Sequence, residues 1–262
     1  KTHLPQEPMT RDPRTPPPQQ GDKVKHVKVR VSLFFDGTGN NRVNTRERIA
    51  NSEVFQKYGK DDNSYANDES NVSRLHDCIK PGSEGYTYHV ALYVDGIGTR
   101  EGDSDVLLDM GFGRYGRGTG VTDKVEKGIR NAVSAVMEVL PSNQVTHIDR
   151  LTLDTCGFSR GAAAARYCLY RAFNDAAGGW FGSDWYGLPT ALERLGFPVG
   201  YFDIKAVALF DTVSSYGFNH NDDVAELKLD AIRAAESVFH LAAGNEYREN
   251  FALTNIDSAG GN

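Results

Sequence analysis

The first residues that suggest chemistry are Gly157 to Gly161, which read Gly-Phe-Ser-Arg-Gly and match the pattern G-x-S-x-G. A serine at the centre of this pattern is a hydrolase nucleophile when the motif forms a sharp turn between a strand and a helix. The sequence meets this condition, because the strand-like segment 150–156 precedes the motif and the small-residue helix 161–173 follows it. We therefore expect Ser159 to be a catalytic nucleophile. The alternative is a Gly-Ser turn without chemistry.

A serine nucleophile needs a histidine to take its proton and a carboxylate to orient that histidine. In hydrolases that carry their serine in this strand–turn–helix motif, the three residues follow in the chain order Ser, Asp, His. Asp211 ends the apolar segment AVALFD and would emerge at the same sheet edge as Ser159, so we expect it to be the orienting acid. A turn aspartate is the alternative for Asp211, and Asp203 would lie at the opposite edge. Two histidines follow Asp211, and neither is assigned to the triad. His220 lies in a polar loop, and His240 lies on an apolar helix-like segment, which is typical of a structural histidine.

The oxyanion of a tetrahedral intermediate requires preorganised N–H donors. One expected donor is the backbone N–H of Arg160, the residue after the nucleophile. The second is expected from the loop FFDGTGNN, through Gly37 or Thr38, although a plain β-turn explains these glycines equally well. This chemistry needs no metal and no cofactor, and we predict none.

Three further motifs allow other interpretations. Asp36 and Asp95 follow strands in D-G-x-G turns and could serve an Asp-dependent phosphatase, but Phe34 stands where that class has its second aspartate. The glycines of residues 111–116 match G-x-G-x-x-G without the preceding strand that a dinucleotide site needs, which favours a loop at the rim of the site. Both tryptophans fall in residues 178–189, which suggests either a lid that contacts lipid or aromatic packing under a loop.

The elements that must position these residues alternate along the chain. Strand-like patterns cover residues 24–35, 86–94, 150–156 and 204–210, and helical patterns cover residues 123–140 and 161–173. The first of these helices is expected to begin at Asp123, with Glu126 as its capping partner, and to end at Pro141. Strands separated by helices need crossover connections, so the sequence predicts an α/β-hydrolase-like three-layer sandwich with a mainly parallel sheet.

Composition narrows the class of protein. The chain has 262 residues, with 29 Lys and Arg against 35 Asp and Glu, and its net charge of −6 argues against a nucleic-acid partner. No apolar stretch is long enough to span a membrane, and the first residues lack the apolar run of a secretory signal.

Cys78, Cys156 and Cys168 show no C-x-x-C spacing, which excludes a disulfide framework and favours a reducing compartment of origin. Six of the ten prolines lie near the start, so residues 1–22 are expected to form a tether and residues 23–262 the hydrolase domain.

Six segments of the sequence, in order, carry a family resemblance. They are FFDGTGNN, NVSRL, YVDGIGT, GFSRGAAAAR, ALFDTVSSYG and HLAAGNEYRENFALT, spread between residues 28 and 254. Together they resemble the α/β-hydrolase family that includes the first family of type VI secretion lipase effectors, whose Ser and Asp match Ser159 and Asp211. The resemblance implies a phospholipase A acting on glycerophospholipids of bacterial membranes. It also implies passage from the bacterial cytoplasm to the periplasm of a target cell, a secretion spike or needle protein as carrier, and a cognate immunity protein.

The triad histidine is where the sequence departs from this family. The family histidine belongs to a later segment of the form His-Ser-Asp-Ile-Gly-Gly, whereas the sequence given ends at IDSAGGN. The resemblance therefore implies a domain without its C-terminal part and a histidine beyond Asn262, and it matches His240 to a segment outside the triad. The competing function is a non-catalytic delivery or interaction module, with the proline-rich tether docked on a carrier protein.

Overall fold

The computed structural model describes residues 25–80, 82, 85–112, 118–140, 146–176, 185–213, 228–244, 254 and 256. The predicted tether, His220, Trp180, Gly113 and Gly116 lie outside these residues. None of the helices in the described part combines the length and the apolar character that crossing a membrane requires.

Five strands form one sheet, in the spatial order β2-β1-β3-β4-β5. Their bounds are β1 Lys25–Phe35, β2 Tyr88–Val94, β3 Thr146–Phe158, β4 Phe202–Phe210 and β5 Ala235–Leu241. Every neighbouring pair is parallel, so all five strands end at the same edge of the sheet. The mainly parallel sheet predicted from the alternation of elements is confirmed.

Helices lie on both faces of this sheet. Their bounds are α1 Arg42–Ile49, α2 Glu53–Tyr58, α3 Asn71–Asp77, α4 Leu107–Phe112, α5 Val121–Val139, α6 Arg160–Phe173 and α7 Leu188–Arg194, with a 3₁₀ helix at Leu229–Ala234. The main core lies where α5 and α6 pack on the sheet, and the alanines of α6 are fully buried in it. On the other face, Val72 of α3 packs against Phe34 and Cys156. The three layers confirm the predicted α/β-hydrolase-like sandwich.

The start of α5 differs from the sequence expectation. Gly120 is the N-cap, and Asp123 stands three residues later, where its Oδ2 accepts the Gly120 N–H at 3.0 Å. Glu126 faces Arg130 at 3.8 Å instead of capping the helix. The helix therefore begins earlier than predicted, because an aspartate satisfies a free N–H of the first turn by reaching back as well as by capping directly.

Strand β5 corrects a second expectation. The segment around His240 has a helix-like apolar pattern, but it forms a strand paired with β4, with His240 opposite Leu209. The ladder along β4 satisfies the backbone of this segment, and such tertiary pairing overrides local pattern in short apolar runs.

Candidate active site

Ser159 occupies a strained turn between β3 and α6. Its backbone angles are φ 55° and ψ −127°, in the left-handed half of conformational space that non-glycine residues rarely adopt. The Ser159 N–H donates to the Phe210 carbonyl at 2.9 Å, and the Ser159 carbonyl accepts the Val213 N–H at 3.3 Å. The turn is thus fastened to the end of β4, with the serine held at the sheet edge where all strands end.

The two glycines of the motif allow the turn to pack this tightly. A Cβ atom on Gly161 would lie 2.2 Å from the Asp36 carbonyl oxygen, and one on Gly157 would lie 2.3 Å from the Gly161 carbonyl oxygen. Both neighbours are backbone atoms, which cannot move aside as a flexible side chain could. A side chain at Gly161 would push α6 away from the loop after β1, and one at Gly157 would push α6 away from the end of β3.

Asp211 directly follows β4, beside the serine turn. Phe210 is in register with Phe158, so Asp211 and Ser159 are the next residues along two adjacent strands. The Asp211 N–H donates to the Leu241 carbonyl at 2.9 Å, and its Oδ1 accepts the Ala243 N–H. The carboxylate is therefore oriented by the loop that follows β5.

The other aspartate of β4 lies at the far end of the strand. Asp203 accepts hydrogen bonds from Arg150 and from Thr152 Oγ1, and these bonds keep its pKa below the ordinary value in spite of burial. It is a strand-to-strand contact remote from the serine turn.

His240 is partly buried and lies near the end of β5. The next residue is Leu241, and its carbonyl oxygen accepts the Asp211 N–H. The register of β4 and β5 thus brings His240 to the same edge of the sheet as Asp211. The helix-like interpretation of its segment had obscured this location. His220, the other histidine that follows Asp211, is outside the described residues.

The loop after β1 supplies the candidate oxyanion donors. The Gly37 N–H donates to Asp36 Oδ1 at 2.8 Å, so this donor is engaged within the loop. Within the described residues, the Thr38 N–H has no backbone acceptor. The Arg160 N–H, at the first position of α6, belongs to the helix end whose N–H groups lack intrahelical partners.

The Arg160 side chain connects the serine turn to its surroundings. It is buried, its Nε donates to Thr38 Oγ1 at 2.9 Å, and its guanidinium also donates to the Met110 carbonyl of α4. Burial lowers the pKa of Arg160 to about 10, which still leaves it charged near neutral pH. The sequence motif predicts a role only for the backbone N–H of Arg160, because the contacts of its side chain arise from tertiary packing.

Asp36 is a buried support of the site. Tyr93 donates its hydroxyl to Asp36 Oδ2 at 2.6 Å. Burial raises the pKa of Asp36, against the opposing effect of hydrogen bonds from Ser70, Tyr93 and the Gly37 N–H. Its two oxygens are thereby engaged inside the protein, an arrangement unlike that of an exposed phosphatase nucleophile.

Asp95 is held by two lysines of α5. Lys124 Nζ and Lys127 Nζ each lie 2.6 Å from one of its oxygens, and Asp95 and Lys124 are almost completely buried. Burial alone would raise the pKa of Asp95, but the two cations outweigh that effect and hold it below the ordinary value. This aspartate also forms an internal contact and offers no exposed nucleophile.

The two D-G-x-G loops interlock. A Cβ atom on Gly96 would lie 1.8 Å from the Gly37 carbonyl oxygen, and the Gly96 N–H donates to the Asn40 carbonyl at 2.8 Å. The second loop therefore supports the first, which in turn contacts the serine turn.

The remaining motifs lie beside the site or away from it. Gly111 belongs to α4, so a helix and not a strand precedes the glycine-rich segment, which excludes the dinucleotide fingerprint. Trp185 donates its Nε1–H to the Arg171 carbonyl at 3.2 Å and packs against the core, which fits the packing interpretation. All three cysteines are free thiols, and burial raises the pKa of Cys156 to about 12.

A cavity of about 210 Å³ lies over the middle of the sheet, away from the serine turn. Its lining includes Phe34, Cys156 and Ala208, together with Arg30 and Asp154, which form an ion pair at 2.6 Å. Because Ser159 is not part of the lining, we do not assign this cavity to the reaction.

The chain is similar to proteins of one known family. The model of the family described as T6SS, Phospholipase effector Tle1-like, catalytic domain matches residues 30–171, more than half of the chain. The structure of the Tle1 effector bound to the VgrG spike from the Type 6 secretion system is similar, with a TM-score of 0.57 and 28% identity over 89% of this chain and 48% of that chain. An uncharacterized protein from Pseudomonas aeruginosa gives a TM-score of 0.43 and 18% identity over 89% of this chain and 37% of that one.

No curated protein matches the chain in sequence. The chain spans about half the length of the Tle1 effector structure that it resembles. Because the catalytic-domain model of the family matches more than half of the chain, the chain belongs to the family of Tle1-like phospholipase effectors of the type VI secretion system.

Proposed function

We propose that this chain hydrolyses carboxylic ester bonds of membrane glycerophospholipids, as a phospholipase A, with Ser159 as its nucleophile. The observation that carries the proposal is the strained serine turn between β3 and α6. A hydrogen bond joins this turn to Phe210, the last residue of β4, and Asp211 is the next residue. A turn without chemistry has no need of this conformation, which costs about 1–3 kcal/mol. Membership of the Tle1-like family supports a phospholipid as the ester.

In the proposed reaction, Ser159 Oγ attacks the carbonyl carbon of a fatty-acyl ester while a histidine takes the hydroxyl proton. The tetrahedral intermediate then collapses, and the lysophospholipid alkoxide leaves with that proton. Water, deprotonated by the same histidine, attacks the acyl-serine, and the histidine returns the proton to Ser159 Oγ as the fatty acid leaves. The products are one fatty acid and one lysophospholipid.

We propose His240 as the histidine and Asp211 as the group that orients it, which departs from the family resemblance, where His240 falls outside the triad. Support comes from the register of β4 and β5, which brings both residues to one sheet edge, and from the Asp211 N–H bond to the residue after His240. His220 is the alternative within this chain, and a histidine from beyond Asn262, as the family resemblance implies, is the alternative outside it.

For the oxyanion we propose the backbone N–H of Arg160 together with a donor from the loop after β1. Gly37 fills that second role only if its N–H turns away from Asp36 Oδ1, so the present geometry favours Thr38. The Arg160 side chain, through its bond to Thr38 Oγ1, would hold the two donors at a fixed separation.

One proposed partner is a spike protein. The Tle1 effector of known structure is bound to a VgrG spike, and we propose that the protein containing this chain is carried by a spike of the same class. We further propose that it leaves the bacterial cytoplasm for the periplasm of a target cell, and that a cognate immunity protein protects the producer.

Labelling with a fluorophosphonate, which reacts with activated serines, tests the proposal. We expect the wild-type chain to be labelled, Ser159→Ala to be unlabelled, and Ser237→Ala, on an exposed part of β5, to be labelled as wild type. A folded wild-type chain that is not labelled, or an Ser159→Ala variant labelled equally, would contradict the nucleophile and favour the non-catalytic delivery module.

A further inference from the structure

A second group of side chains with chemical potential lies at the edge of the sheet opposite Ser159. His26 is the second residue of β1, and His147 and Asp149 lie at the start of β3. His26 and His147 are paired directly in the parallel ladder, although they are far apart in sequence. The sheet therefore brings two imidazoles and a carboxylate together on rigid elements.

An irregularity in the ladder directs the carboxylate at the histidines. Val27 pairs with Ile148 and Lys28 pairs with Arg150, so Asp149 is an extra residue in β3, as in a β-bulge. Bulges commonly redirect a side chain. Here Asp149 Oδ1 lies 2.6 Å from His26 Nδ1 and 3.1 Å from His147 Nδ1.

We propose that His26, His147 and Asp149 form a binding site for a divalent transition-metal ion of the Zn²⁺ class. Imidazole nitrogen and carboxylate oxygen are the donors that such ions prefer, and tetrahedral coordination with bonds of about 2.0–2.1 Å separates neighbouring donors by about 3.3 Å. One donor atom from each residue lies within 4.8 Å of the others, so closure around an ion needs only small side-chain movements.

The surroundings leave room for the ion and for water as a fourth ligand. The side chains of His26, His147 and Asp149 are 60%, 36% and 42% exposed, so none is enclosed by the core. Gly200 borders the cluster, and a Cβ atom there would lie 3.2 Å from His147 Cε1. The glycine keeps the edge of that ring uncovered between its two nitrogens.

Such an ion would fasten the starts of β1 and β3 to each other. Asp149 and Ser159 lie ten residues apart on one extended segment, a distance of about 33 Å at 3.3 Å per residue. The ion would therefore stabilise the sheet without touching the proposed reaction. Metal binding and ester hydrolysis can fail independently of each other.

The test is a titration of the purified, metal-free chain with Zn²⁺ in competition with a chromophoric chelator. We expect one zinc ion bound per chain at this site, and at least tenfold weaker binding in His147→Gln and in Asp149→Asn, since loss of a ligand exceeds the roughly 10–100-fold cost of losing an outer-shell partner. His76→Gln is the matched control, because His76 Nδ1 lies 3.1 Å from Asp77 Oδ1 but has no second histidine in its cluster among the described residues.

Thermal unfolding gives a second measurement on the same samples. Zn²⁺ should raise the Tm of the wild-type chain and of His76→Gln, and should leave the Tm of His147→Gln unchanged. Undiminished zinc affinity in both cluster variants would overturn the proposal, as would no zinc binding by the folded wild-type chain at submillimolar concentrations. If either variant fails to fold, His26→Gln, which alters the most exposed of the three side chains, takes its place.

Discussion

At the scale of single residues, the two proposed catalytic residues are among the four non-glycine residues with positive φ in the described part of the chain. Ser159 has φ 55° and Asp211 has φ 43°, and both lie where two strand ends meet. Non-glycine residues adopt such angles only when their surroundings compensate the cost. Here the compensation comes from hydrogen bonds of the Ser159 backbone to Phe210 and Val213 and from the Asp211 contacts with the last residue of β5 and the loop after it.

The strain at Ser159 predicts a stability difference between two inactive variants. Ser159→Gly should have a free energy of unfolding about 1 kcal/mol higher than Ser159→Ala, because glycine adopts positive φ without steric cost and this gain exceeds its extra entropy in the unfolded chain. Urea denaturation of the two variants side by side measures the difference. A Ser159→Gly variant no more stable than Ser159→Ala would contradict this prediction, because the strain relieved would then not exceed the entropic cost of glycine.

Two histidines of this chain, His240 and His220, are candidates for the general base. His240→Gln should lower ester hydrolysis by about 10³-fold or more, as expected when a triad member is lost, while His220→Gln should retain the wild-type rate. Initial rates on a soluble ester, with circular dichroism to confirm folding, make the comparison. The reverse pattern would move the base to His220, and wild-type rates in both variants would place it elsewhere.

At the scale of elements, the site depends on loops that support one another. The serine turn contacts the loop after β1, that loop contacts the loop after β2, and Asp95 in the second loop is bound by Lys124 and Lys127 of α5. The D-G-x-G motifs indicated tight turns, but only the packing shows that one loop rests on the other. The buried lysine could not be predicted, because Lys124 occupies one of the inward positions of a helix whose charged residues are expected to face solvent.

Removal of the buried lysine should be costly. Lys124→Met leaves the buried Asp95 carboxylate with Lys127 as its cation and the Thr99 hydroxyl as a neutral donor, and we expect a loss of about 3–5 kcal/mol in the free energy of unfolding. Lys127→Met is the matched control, with an expected loss of about 1 kcal/mol, because Lys127 is 39% exposed and its contact is screened by solvent. Chemical denaturation at neutral pH measures both, and equal losses would contradict the different burial of the two pairs.

The same contact predicts a response to acid. The pKa of Asp95 lies below its unfolded value of 3.8, so its stabilising contribution is complete above that pH and disappears as the pH falls through the folded-state pKa. Asp95→Asn should therefore show a smaller loss of stability between pH 4 and lower values than the wild-type chain. Parallel acid-unfolding curves would contradict this assignment.

At the scale of the whole molecule, the parallel sheet explains why much could be predicted from sequence. Because parallel strands all end at one edge, the order of strands and helices was enough to bring Ser159 and Asp211 to the same side. Strand order, the pairing of β5 and the meeting of His26 with His147 arise from register between distant segments, which no local pattern encodes. The helix-like interpretation of the segment around His240 is wrong for that reason, because the segment is a strand paired with β4.

The two edges of the sheet have separate proposed tasks. The proposed catalytic residues lie at the edge where the strands end, and the proposed metal site lies at the edge where β1 and β3 begin. The match to the Tle1-like family supports only the proposed catalytic edge. The matched residues 30–171 include Ser159 and the loops that support it.

Hydrolysis of phospholipid vesicles by the purified chain tests the central claim most directly. With vesicles of phosphatidylethanolamine and phosphatidylglycerol, we predict release of free fatty acid and lysophospholipid by the wild-type chain, detected by mass spectrometry. Ser159→Ala should lower the rate by about 10³-fold or more. Equal release by the two proteins, or no release by a folded wild-type chain, would contradict the account.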